Sequence, residues 1–190
     1  MTNLENMGAL AKSAARTLRI EDSSVKTEAL ELIASALLQK KADILTANAL
    51  DVEAAKGSLS PSMIDRLSLS EERIESMADA VIAVSKWPDP VGQVLEERVL
   101  PNGLHVQKTS VPLGVCGIIF EARPNVTSDC AALCIKAGNA CILRGGKQAF
   151  HSNMAITRCL RAGLSSAGLP EDSVQLIEDT SRDTTRELMR

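Results

Sequence analysis

The chain has 190 residues, 45% hydrophobic and 24% charged, which is ample apolar material for the packed core of one or two domains and leaves no compositional case for disorder. Lys plus Arg number 21 against 24 Asp plus Glu, a net charge of -3, and aromatic residues make up only 2%, so the chain lacks both the cationic footprint and the stacking faces of a nucleic-acid binder. Glu5, Lys12, Arg16 and Arg19 interrupt the first twenty residues, which therefore hold no signal peptide or membrane span, and the expected location is the cytoplasm.

Along the chain, Leu4, Met7, Leu10, Ala11, Ala14 and Leu18 recur at steps of three and four and predict a one-sided helix. Ser24 is a candidate N-cap for a second helix over Val25 to Gln39, and a third covers Ala42 to Lys56, ending at Gly57. Pro61 opens a short helix through Leu67. Ser70, followed by Glu71 and Glu72, starts another that runs to Lys86 before Trp87-Pro88-Asp89-Pro90 stops it. These helices, residues 1–90, carry no chemical motif and are expected to pack as a scaffold on the C-terminal half of the chain.

Residues 91–110 change character. Two extended segments around Pro101-Asn102-Gly103 predict a protruding β-hairpin, with Asn-Gly the signal of a tight turn, and a ribbon of this kind needs another domain or subunit to pack on. From residue 111 to 190 strand and helix alternate. Val115 to Phe120 and Ala140 to Leu143 are buried-type strands flanking a helix from Ser128 to Lys136, with Gly138-Asn139 suited to the turn between them. A longer helix over Gln148 to Ser166, a third strand over Val174 to Ile177 and a helix from Arg182 complete the pattern. Such alternation predicts a parallel α/β sheet.

Ligands of such sheets collect beyond the carboxyl ends of the strands, and three segments fall there: Glu121 to Asn125, Arg144 to Lys147, and Asp179 to Arg182. In the first, Arg123 and Asn125 flank Pro124 and can hold an anion or offer an amide to a developing oxyanion, or Arg123 can simply pair with Glu121. In the second, Gly145 and Gly146 permit close backbone approach while Arg144 and Lys147 contact a phosphate, or the segment is a solvated turn. In the third, Thr180 and Ser181 cap a helix or face a phosphate. There is no Walker loop and no Gly-x-Gly-x-x-Gly. The five cysteines, at 116, 130, 134, 141 and 159, form no Cys-x-x-Cys pair, and His105 and His151 lack ligand spacing. The thiols are expected to be reduced packing residues and no metal site is expected.

The run Val111-Pro-Leu-Gly-Val-Cys-Gly-Ile-Ile-Phe-Glu-Ala-Arg-Pro-Asn-Val-Thr127, with Lys136-Ala-Gly-Asn139 and Ile142-Leu-Arg-Gly-Gly-Lys147, closely resembles the γ-glutamyl phosphate reductases, also called glutamate-5-semialdehyde dehydrogenases. The likeness takes in Asn48 to Ala55 and Leu100 to Leu104, and so essentially the whole chain. It implies an aldehyde-dehydrogenase-like α/β fold: a Rossmann-like parallel sheet, an N-terminal helical region and a β-hairpin used in homo-oligomerisation. The implied reaction is the NADPH-dependent reduction of γ-glutamyl phosphate to glutamate 5-semialdehyde with release of phosphate, in proline biosynthesis, and glutamate 5-kinase is an implied partner. Family members exceed twice this length, and their nucleophilic cysteine matches none of the five here, so the catalytic domain is absent from this chain and the segment alone should not complete the reaction. An alternative is a non-catalytic binding or oligomerisation module derived from such an enzyme.

By the same resemblance, Arg144 stands where relatives place a lysine that reaches the adenosine ribose, and Lys147 where NAD-using relatives place a glutamate. A carboxylate there repels a 2′-phosphate and an ammonium attracts it, so the pair implies NADPH. Asn125 corresponds to the oxyanion-holding asparagine, although the spacing from Asn125 to Gly138 is short and a gapless alignment puts Glu121 there. Arg123 is the candidate for the substrate's phosphate or carboxylate. A sheet ending at its third strand is also expected to leave an edge open to association with other chains.

Overall fold

The computed structural model describes residues 2–189, with the Arg182 side chain outside the described residues. Five helices come first: α1 (Asn3–Leu18), α2 (Ser23–Gln39), α3 (Lys41–Ala55), α4 (Pro61–Leu67) and α5 (Glu71–Ser85). The strands β1 (Val94–Val99) and β2 (His105–Thr109) form the hairpin. The remainder is β3 (Val115–Ile119), α6 (Asn125–Lys136), β4 (Ala140–Arg144), α7 (Phe150–Ser166), β5 (Val174–Leu176) and α8 (Arg182–Leu188), with single 3-10 turns before α7 and β5.

Helix starts obey local hydrogen-bond chemistry. Thr2 and Glu5 form a reciprocal capping box on α1, and the Ser70 hydroxyl accepts from the Arg73 N–H at the head of α5. The start of α2 differs from expectation: Asp22, not Ser24, is the N-cap residue, and Ser23 already lies within the helix. Helix α6 begins three residues earlier than expected, because Pro124 itself adopts helical angles and leads directly into it.

The hairpin also departs from the tight Asn-Gly turn. Asn102 keeps a negative φ and only Gly103 is left-handed, at φ 83°, with its N–H donating to the Leu100 carbonyl while Leu100 pairs with Leu104. Pro101 favours this three-residue loop, since its φ is fixed near -65° and suits the first position of a type I turn. Both hairpin strands are almost wholly exposed, with Val94, Leu95, Val99 and Leu104 presenting apolar surface.

Strands β3, β4 and β5 lie in that order and are parallel, Cys116 opposite Cys141 and Cys141 opposite Val174. Alternation divides the sheet between two apolar layers. Ala140 and Ile142 face Ala11 and Ala15 of α1, joined by Leu188 of α8. Cys141, Leu143 and Val174 face α6 and α7, whose outer sides pack on α2 and α5 in one continuous core. The Gln175 side chain donates to the Met7 carbonyl at 2.9 Å, tying α1 to β5. Helices α2 and α7 cross so closely that a Cβ on Gly163 would lie 2.7 Å from the Ile33 Cα, so only glycine fits. Two buried lysines anchor the N-terminal helices. Lys26 pairs with Asp89 in the turn after α5, and Lys136 donates to the Ser85 carbonyl at 2.8 Å.

Among the described residues no helix is long and apolar enough to cross a membrane, and no group of His, Cys, Asp and Glu is arranged to hold a metal. The five cysteines are free, three of them buried. Cys116, Cys134 and Cys141 share one contact between sheet and α6: burial lifts Cys116 to about 11, and the bond from Cys141 holds Cys134 below the ordinary thiol range. Burial likewise lifts Cys159 to about 11.

Candidate functional site

The carboxyl ends of β3, β4 and β5 bring the three expected segments to one edge, since the strands are parallel and in register. Two clefts open there, one on the side of α3 and α7 and one on the side of α4 and α5.

The first cleft, of about 590 Å³, is lined by Lys147, Thr180, Glu178, His151 and Asp51 among others. Lys147 is exposed and its ammonium has no partner among the described residues. Arg144 is placed differently. Its guanidinium donates to the Gly145, Thr180 and Ser181 carbonyls, and its Nε is buried without a partner among the described residues. It therefore fastens the end of β4 to the loop before α8, and its charge holds the neighbouring Asp179 low only as a minor addition to the bonds from Thr184 and Ser181.

Packing requires glycine at Gly145 and leaves little room at Gly146. A Cβ on Gly145 would lie 2.1 Å from the Asn153 amide nitrogen, and one on Gly146 would lie 3.0 Å from the Ala122 backbone nitrogen. Asn153 is buried and accepts from Thr127, so it has little room to yield. Ser181 caps α8, accepting from the Thr184 N–H, while Thr180 is half-buried at the cleft wall.

Asp51 also lines this cleft, although nothing in its sequence context points to a site. It is 3% exposed, and its carboxylate accepts from the His151 N–H, the Ser152 N–H at 2.7 Å and the Ser152 hydroxyl at 2.6 Å. It caps α7 from another helix, placing its negative charge against the positive helix end. Asn48, one turn earlier on the same face of α3, donates to the Leu67 carbonyl and the Ser152 hydroxyl. The only local signal is a pair of polar residues one turn apart on a helix rich in apolar ones.

The second cleft, of about 410 Å³, is lined by Arg66 and Arg73 from the N-terminal helices and by Arg123, Asn125 and Asp129 at the head of α6. No ion pair joins Glu121 to Arg123 among the described residues; they meet only through the backbone, Arg123 N–H to Glu121 carbonyl at 2.8 Å. The Asn125 amide donates to the Asp129 carboxylate at 3.0 Å, leaving one amide hydrogen for another acceptor. Burial raises the Asp129 carboxyl, and the Asn125 bond opposes that rise. Arg66 and Arg73 were not among the expected site residues, because nothing in their local sequence separates them from ordinary surface arginines.

The architecture is that of half a doubly wound sheet, with its loops gathered at the strand ends where such sheets bind ligands. The chain belongs to the aldehyde dehydrogenase family, whose model matches residues 2–190. Within it, the chain is 50% identical to a γ-glutamyl phosphate reductase of Clostridium beijerinckii over 192 residues, covering all of this chain and 46% of that protein. The solved γ-glutamyl phosphate reductase of Thermotoga maritima superposes with a TM-score of 0.97 at 38% identity, over 100% of this chain and 46% of that one. The corresponding structure from Saccharomyces cerevisiae gives 0.90 at 32%, over 96% and 48%. The chain thus spans about half the length of the relatives it matches.

Proposed function

We propose that this chain is the N-terminal, cofactor-binding part of an enzyme that reduces γ-glutamyl phosphate to glutamate 5-semialdehyde with NADPH, releasing phosphate, in the cytoplasmic synthesis of proline. The observation that carries the reading is the 50% identity to a γ-glutamyl phosphate reductase, which extends across the whole chain.

The residues fit an anionic dinucleotide. The Lys147 ammonium stands free at a cleft that Thr180 also lines, at the end of a parallel strand. In this reading Lys147 attracts the 2′-phosphate that a carboxylate would repel. Arg144 acts as a positioning residue, holding the β5–α8 loop in place, and Gly145 and Gly146 let the β4 loop close against Asn153 and Ala122. Ser181 supports the same wall as a cap. The bound cofactor supplies hydride. Arg123 takes an anionic end of the substrate, and the free amide hydrogen of Asn125 is aimed at the acyl oxygen. The exposed apolar hairpin is the homo-oligomer contact, and glutamate 5-kinase is the partner that hands over its labile product.

The test is the reverse reaction in the full-length polypeptide. The expected result is phosphate-dependent oxidation of glutamate 5-semialdehyde with NADP+, and a shift of about tenfold or more toward NAD+ in Lys147→Glu, an effect of the size set by one charge-assisted contact. An unchanged cofactor preference removes Lys147 from the site. Absence of the phosphate-dependent reaction contradicts the assigned chemistry.

A further inference from the structure

The cleft at the head of α6 holds three guanidiniums, only one of which is used by the fold. Arg73 donates to the Ser68 carbonyl at 2.7 Å and to the Asp65 carboxylate at 2.8 Å, so its charge is spent. Arg66, from the last turn of α4, and Arg123, from the β3–α6 turn, have no side-chain hydrogen bond or ion pair among the described residues, yet both line the same 410 Å³ cleft. Asp129 faces the same space with one carboxylate oxygen bound by Asn125 and the other unclaimed. Two free cations and one half-free anion, drawn from two separate regions of the chain, are the electrostatic complement of a molecule with two anionic ends and one ammonium.

We propose that Arg66 and Asp129 set the amino-acid specificity of this cleft, Arg66 binding the α-carboxylate and Asp129 the α-ammonium of the substrate whose far anion meets Arg123. The assignment rests on the reaction proposed above, in which that far anion is the acyl phosphate, and it makes Arg66 the residue that separates an amino-acid substrate from a simple acyl phosphate. A planar guanidinium binds a carboxylate through two parallel N–H bonds, which a single ammonium cannot reproduce.

The experiment is a heteronuclear NMR titration of the 190-residue chain with L-glutamate and, separately, with 4-aminobutyrate, which keeps the ammonium and the far carboxylate but lacks the α-carboxylate. Saturable shifts are expected at the Asn125 to Asp129 amides, with L-glutamate bound about tenfold more tightly, the usual size for one charge-assisted pair. Arg66→Ala is expected to erase that difference while leaving 4-aminobutyrate unchanged, and Arg66→Lys to restore part of it. Arg66 is exposed, so an unaltered spectrum away from the cleft shows that the variant is folded. Equal weakening of both ligands, no effect of Arg66→Ala, or no saturable shift in the unsubstituted chain overturns the proposal. The titration contains no nicotinamide cofactor, so a failed cofactor assignment leaves it standing, and its own failure leaves the cofactor assignment untouched.

Discussion

Asp51 and Arg144 show how a charged residue near a binding edge can belong to the scaffold. Asp51 is buried without a cation, and its burial is tolerable because three donors from the start of α7 converge on it. Replacing it with Ala leaves those donors unsatisfied, and the expected loss is about 2 kcal/mol, or about 4–8 °C in Tm for a chain of this length. A change below about 0.5 kcal/mol in denaturant unfolding would contradict that role. Neither scaffold role could be read from the sequence. The partners of Asp51 lie a hundred residues away, and the carbonyls that hold Arg144 belong to Thr180 and Ser181, thirty-six and thirty-seven residues on. Lys147 was legible as a cation after a strand, and the structure adds that it alone of the Arg144–Lys147 pair remains unengaged among the described residues.

Among the elements, α1 and α5 were legible because each buries one continuous stripe, and β4 because an apolar run marks a strand covered on both faces; the β-branched run of β3 also marked a strand, but at the edge of the sheet that strand is half-buried rather than covered, with Ile119 exposed. Boundaries were less so. Pro124 entering α6 and the cap at Asp22 depend on backbone angles that several residue types adopt equally well. The hairpin was legible as a hairpin, while its loop type turned on Pro101 rather than on Asn-Gly. Its base is closed by Gly92 N–H to Ser110 carbonyl at 2.9 Å and Ser110 N–H to Gln93 carbonyl at 3.0 Å, so residues 94–109 can be replaced by a short Gly-Ser link without opening the core. The expected outcome is a chain with unchanged helical circular dichroism whose self-association, followed by sedimentation, is sharply reduced. Association that survives the excision would assign the contact to another surface.

For the whole molecule, three parallel strands with helices on both faces bury a continuous core, yet β3 and β5 each leave one edge without a strand partner among the described residues. In a doubly wound sheet the strands of a second half add beside the first strand, and the relatives this chain matches are about twice its length. The strand ends present a cation-bearing cleft on the side of α3 and α7 and an arginine-rich cleft on the side of α4 and α5, so in the proposed enzyme dinucleotide and substrate approach the same edge from opposite sides. In the proposed enzyme Lys147 receives the 2′-phosphate, and calorimetric titration of the chain with 2′,5′-ADP and with 5′-AMP measures that contact. Binding of 2′,5′-ADP is expected to be about tenfold tighter, weakened by salt, with the difference abolished in Lys147→Ala. Equal affinity for the two nucleotides, or a preference that survives Lys147→Ala, would contradict it.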